Sequence, residues 1–122
     1  MNLRLIKETV PGQKPFDASS EVYLEAAHIC IKKSLADRLF GPETVVLSVF
    51  YPKDRVFIVS PASEELFRSI HKASQQMLKT KNAIGDKSIS IQELLLDNDL
   101  DESDRNLEFT QEESLHFLKV KL

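Results

Sequence analysis

Shifting the chain by 60 positions lays Ile29, Ile31, Leu35, Leu47 and Phe57 on Ile89, Ile91, Leu95, Leu107 and Phe117. A period of that size in 122 residues leaves room for two copies of one unit and little else, so the fold of the first copy constrains the whole. Phe40 over Leu100, Val49 over Phe109 and Ile58 over Leu118 keep apolar character, and Gly41 to Thr44 overlays Asp101 to Asp104, turn material on turn material. The competing reading is coincidence between two ordinary α+β segments, because 42% of the chain is hydrophobic and matches arise by chance. The positions at which the matches fall favour the repeat: they are those each element would turn inward.

The first copy spans His28 to Pro61. The run Ala26-Ala27-His28-Ile29-Cys30-Ile31 is short, apolar and partly β-branched, which predicts a strand. Lys32 to Phe40 places Leu35, Leu39 and Phe40 at helical spacing, and Gly41-Pro42 stops that helix. Two strands follow, Thr44 to Tyr51 and Val56 to Val59, around the polar turn Pro52-Lys53-Asp54-Arg55, so an antiparallel hairpin is expected. In the second copy Ser88 to Ile91 reads as the strand and Gln92 to Asp99 as the helix, with a further strand starting at Leu107.

Between the copies the pattern predicts an amphipathic helix. Ser60 is placed as its N-cap and Pro61 at its first position, and Leu66, Phe67, Ile70, Ala73, Ser74, Met77 and Leu78 form an apolar stripe. Arg68, Lys72, Gln75 and Lys79 line the other face, either as a solvated side or as a row tracking phosphates. Ahead of the first copy, Asn2 to Lys7 alternates like an edge strand, and Glu21 to Glu25 resumes strand character. The expectation is therefore one α+β domain over 1–122, mostly antiparallel β. It comprises a first β-α-β-β repeat at 21–61, a connecting helix at 62–83 and a second repeat at 84–122.

Composition bounds the chemistry. No apolar stretch is long enough for a membrane span, and Arg4, Lys7 and Glu8 interrupt what would be a signal-peptide core, so a cytoplasmic location without a membrane partner is expected. Cys30 is the only cysteine and lies between isoleucines, which suits a packed thiol better than a nucleophile. His28, His71 and His116 are scattered, three glycines cannot build a glycine-rich phosphate loop, and no cofactor is called for. Asp97, Asp99, Asp101 and Glu108 take positions 1, 3, 5 and 12 of a calcium-loop pattern. That pattern then fails, because Glu102 stands where the sharp turn needs glycine, and no metal site is expected. Residues 1–61 hold 8 Lys/Arg against 7 Asp/Glu, residues 62–122 hold 8 against 12, so the acid is concentrated late.

The stretch I29-C-I-K-K-S-L-A-D-R-L39, followed by a V-x-L-x-V strand and a V-F-I-V strand, resembles the AbrB-type swapped-hairpin superfamily, and the doubled form resembles the MraZ family within it. The resemblance covers about residues 24–61 and, more weakly, 84–122. It implies strand-helix-hairpin units whose hairpins exchange between copies, a non-enzymatic DNA-binding regulator, and a homo-oligomer. The family pattern has an aspartate and an arginine ahead of the first strand. Here those positions are Leu24 and His28 in one copy, Ile84 and Ser88 in the other, and the proline after the strand is replaced by Lys32 and Gln92. Any DNA contact must then come from Lys32, Lys33 and Arg38, or from Arg68, Lys72 and Lys79. The alternative is a protein-protein interaction or assembly module that kept the scaffold and lost the DNA contacts.

Overall fold

In the computed structural model, which describes residues 19–70, 72–112 and 117–122, the first described elements form a short hairpin. Strand β1 (Val22–Glu25) turns at Ala26-Ala27 into β2 (His28–Ile31). The apolar run that starts at Ala26 is thus strand only from His28, because both alanines adopt positive φ, 51° and 62°, as a two-residue hairpin turn requires. Helix α1 (Lys33–Phe40) follows, buries Leu35, Ala36, Leu39 and Phe40, and ends at Gly41, whose φ of 57° suits a residue without Cβ. Strands β3 (Val45–Tyr51) and β4 (Val56–Pro61) then form the expected hairpin.

The connector departs from expectation. The helix predicted over 62–83 is cut down to α2 (Glu65–Ile70), and Ser60 and Pro61, expected at its N-terminus, belong to β4 instead. Beyond α2 the chain is extended, as β5 (Ser74–Met77) and β6 (Lys79–Thr80). Met77 is 55% exposed while its neighbour Leu78 is 3% exposed, the alternation of a strand. Here β5 pairs with β3, and β6 with β7 (Lys87–Ser90). Hydrogen-bonding the margins of two sheets outweighs a modest helical preference. The row Arg68, Lys72 and Lys79 therefore does not lie on one helix: Arg68 is on α2, Lys72 between elements and Lys79 on β6.

After β7 come α3 (Gln92–Asp97), β8 (Arg105–Asn106), β9 (Glu108–Glu112) and β10 (Phe117–Lys121). One sheet has the order β6-β7-β2-β1-β8 and the other β5-β3-β4-β10-β9, with every neighbouring pair antiparallel. The sheets share both margins. Residues 74–80 run from one sheet into the other as β5 and β6, and residues 105–112 do so as β8 and β9. At these corners Leu78 donates its N–H to Thr44 O at 2.8 Å and Leu107 donates to Val22 O at 3.0 Å, and both side chains are buried. The two sheets therefore close into a flattened barrel whose interior is the main core, with Leu24, Ile29, Ile31, Leu35, Phe57, Ile89, Leu95 and Leu118 among its fully buried residues. A second cluster, Leu47, Ile58 and Phe67, lies on the other face of β3 and β4, where α2 covers it.

The first half runs β1-β2-α1-β3-β4, and the second half runs β6-β7-α3-β8-β9-β10, with the two-residue strand β8 additional between helix and hairpin. Ile29, Ile31 and Leu35 match Ile89, Ile91 and Leu95 in burial at the 60-residue shift. In the hairpins that shift is out of phase. Val46, Phe57 and Val59 face the main core, and their counterparts there are Leu107, Leu118 and Val120, each one residue further on. Phe117, overlaid on Phe57 in the sequence, packs instead beside Phe67 in the outer cluster, with ring centroids 6.2 Å apart. A slip of one residue moves a strand's side chains to the opposite face, and the longer link after α3 absorbs it. The expected strand at Asn2 to Lys7, and His71 and His116, lie outside the described residues.

Candidate functional site: basic residues and the inter-sheet groove

Of the six basic residues singled out in the sequence, three come together on α1. Lys32 is its N-cap residue, half-buried, with extended backbone and an N–H that donates to Glu21 O at 2.9 Å. Lys33 places Nζ 2.6 Å from Asp37 Oδ2, an i,i+4 pair that raises the lysine pKa above its ordinary value. Its backbone N–H donates to Asp86 Oδ1 at 3.0 Å. Arg38 stands 3.7 Å from Glu21 Oε2. Two of the three cations thus pair with carboxylates, Lys33 with Asp37 and Arg38 with Glu21, while the Asp86 carboxylate accepts the backbone N–H at the start of the helix. Arg68, Lys72 and Lys79 are exposed and do not join this cluster.

The acidic loop after α3 is occupied with folding. Asp104 Oδ1 accepts the N–H of Ala26 at 3.0 Å, which ties the strained turn to the second half of the chain. Asp101 accepts from the backbone and side chain of Ser103, and these bonds hold its pKa below the usual carboxylate range. Glu108, the twelfth position of the calcium pattern, is on β9.

A second polar group lies across the sheet formed by β1, β2, β6 and β7. Lys81 pairs with Glu25 at 2.6 Å and stands 5.9 Å from the Tyr23 ring centroid. Beside them burial pushes the Cys30 thiol up to about 11, so this buried sulfur is a poor nucleophile at neutral pH.

A groove of about 790 Å³ lies between β3, β5 and the start of α3; Ser48, Gln76 and Ser90 in its lining were missed in the sequence, whereas Lys72 and Asp97 were singled out there for other roles. Ser48 and Gln76 line it, and Ser48 is 5% exposed, one of three serines buried among the described residues. Its Oγ donates to Gln76 Oε1, and Gln76 Nε2 in turn donates to Ser90 O at 2.9 Å, linking one sheet to the other. Phe50, Phe57 and Leu94 supply apolar wall, and Glu93, Asp97 and Lys72 stand around it. The groove exists at this end because α3 buries only Leu95 where α1 buries four residues. One signal was present in the sequence: Ser48 interrupts V-V-L-S-V-F-Y at an inward position of β3.

No family model matches the chain, and neither the curated proteins nor the solved structures hold a significant match to it. Among the described residues no helix is long and apolar enough to cross a membrane.

Proposed function

We propose that the chain is a non-enzymatic protein-interaction module of the swapped-hairpin, AbrB/MraZ-like kind, cytoplasmic and self-associating, that does not depend on DNA. In this reading β1-β2-α1-β3-β4 and β6-β7-α3-β8-β9-β10 are two copies of one unit, the second with β8 added, and each lends its hairpin to a sheet shared with the other. The observation that carries the functional part is the pairing of the α1 cations with carboxylates. Asp37 and Glu21 pair with two of the three cations that a phosphate backbone would have to meet, Asp86 adds a third carboxylate at the helix start, and DNA affinity depends on the excess of cations over anions at the contact.

A DNA-binding regulator is the second reading, favoured by the two lysines at the start of α1, whose first turn holds no acidic residue. Phosphates are drawn to such a helix start. Sedimentation of the chain, with a duplex gel-shift series across salt, separates the two. Self-association without salt-dependent duplex binding supports the interaction module. Duplex binding whose salt slope falls by up to about two units in the Lys32→Gln, Lys33→Gln variant establishes the regulator instead.

A further inference from the structure

The strand formed by residues 74–80 serves both sheets, and it leaves a gap where it changes from one to the other. Lys79 and Thr80 pair with Ser88 and Lys87 of β7, whereas Ser74 to Met77 pair with β3. Among the described residues no ladder joins β5 to the stretch Ser90 to Gln92. The corresponding place beside α1 is closed. There β1 keeps its pairing with β2 to the end, and the Lys32 N–H extends it by donating to Glu21 O. The Glu21 carboxylate also accepts from Ser34 Oγ at 3.3 Å and pairs with Arg38.

Beside α3 a single carboxamide bridges the gap. Gln76 accepts from Ser48 on one side and donates to Ser90 O on the other, which is what one peptide unit of an inserted strand would do. We propose that this groove takes an extended peptide segment carrying lysine or arginine, whose main chain replaces the Gln76 bridge between β5 and Ser90. Extended peptides gain affinity from main-chain hydrogen bonds along a sheet margin and selectivity from alternate side chains. Phe50 and Leu94, both half-buried, suit the apolar alternates. The other alternates meet α3, where Glu93 and Asp97 lie one helical turn apart, both exposed, against the single cation Lys72. Two carboxylates to one ammonium select a basic segment over an acidic one.

This inference rests on the protein-interaction reading and adds the site and the chemistry of the partner. Its test uses the full chain and two fluorescein-labelled pentapeptides, Val-Lys-Val-Lys-Val and Val-Glu-Val-Glu-Val, followed by anisotropy. The lysine peptide is expected to bind with a Kd of about 10 μM to 1 mM and the glutamate peptide several-fold more weakly. The variant Glu93→Gln, Asp97→Asn is expected to lose about three- to tenfold in affinity for the lysine peptide with its melting temperature unchanged, since both sites are exposed. Equal binding of the two peptides, an unaffected double variant, or no anisotropy change up to about 1 mM overturns the proposal. A chain that self-associates yet ignores both peptides loses the groove assignment while the interaction reading stands. Salt-dependent duplex binding is the separate outcome that removes that reading.

Discussion

Ile29 and Ile89 lie directly opposite each other in the antiparallel pair of β2 and β7, and neither exposes any surface. Sixty residues separate them, so the pair joins the same position of the two strand-helix units across the middle of one sheet. Ile29→Ala and Ile89→Ala are each expected to lower the unfolding free energy by about 2–5 kcal/mol, the usual cost of emptying a core isoleucine site. Because the two side chains share a neighbourhood, the double variant should deviate from the sum of the singles by about 0.5 kcal/mol or more. Urea unfolding followed by circular dichroism measures all three. A loss below about 0.5 kcal/mol for either single change contradicts this pairing.

The hairpins give a sharper test, because the apparent sequence repeat and the core disagree there. Phe57 is 1% exposed inside the barrel, whereas Phe117 packs half-buried against Phe67 on the outer face. Phe57→Ala should therefore cost about 3–5 kcal/mol, and Phe117→Ala distinctly less. Equal losses would restore the 60-residue overlay in the hairpins and remove the one-residue slip.

That slip shows where the sequence was legible. The strand and helix of each unit could be read because Ile29, Ile31, Leu35 and their partners carry their own spacing. The hairpin phase could not, because Leu47, Phe57 and Ile58 are all apolar and both faces of β3 and β4 are covered, one by the core and one by α2. The connector misled for a related reason. Phe67 and Leu78, eleven residues apart, keep helical spacing, but their burial comes from α2 and from a corner strand whose partners lie far away in sequence. Of the candidate residues, Lys32, Lys33 and Arg38 do share the start and body of α1, while the Glu21 carboxylate that meets Arg38, and the Ser48-Gln76-Ser90 bridge, depend on the three-dimensional pairing.

The turn between β1 and β2 carries strain that a substitution can relieve. Ala26 is exposed and sits at φ 51°, a left-handed conformation that disfavours alanine. Ala26→Gly or Ala26→Asn should raise stability by about 0.5–1 kcal/mol, since both residues tolerate that conformation and neither disturbs the N–H donated to Asp104. The readout is the melting temperature, expected to rise by a few degrees. Asp104→Ala should lower it by leaving that N–H to water.

Cys30 links stability to alkaline pH. Its thiol is fully buried between Tyr23 and Ser88 on the neighbouring strands, and burial holds it protonated up to about 11, against an ordinary value of 9.0. Between those two values the unfolded chain releases the thiol proton while the native chain keeps it, so the unfolded state binds fewer protons and stability falls as pH rises. The contribution is complete below pH 9 and is lost progressively toward pH 11. Urea titrations of the wild type and of Cys30→Val at a series of alkaline pH values isolate it: the wild type should lose more stability than the variant across this window. The same burial predicts that a thiol reagent at neutral pH modifies Cys30 only as fast as the barrel opens, with the rate rising steeply once urea unfolds the chain. Rapid labelling of the native protein would mean that Cys30 is reached without opening of the barrel.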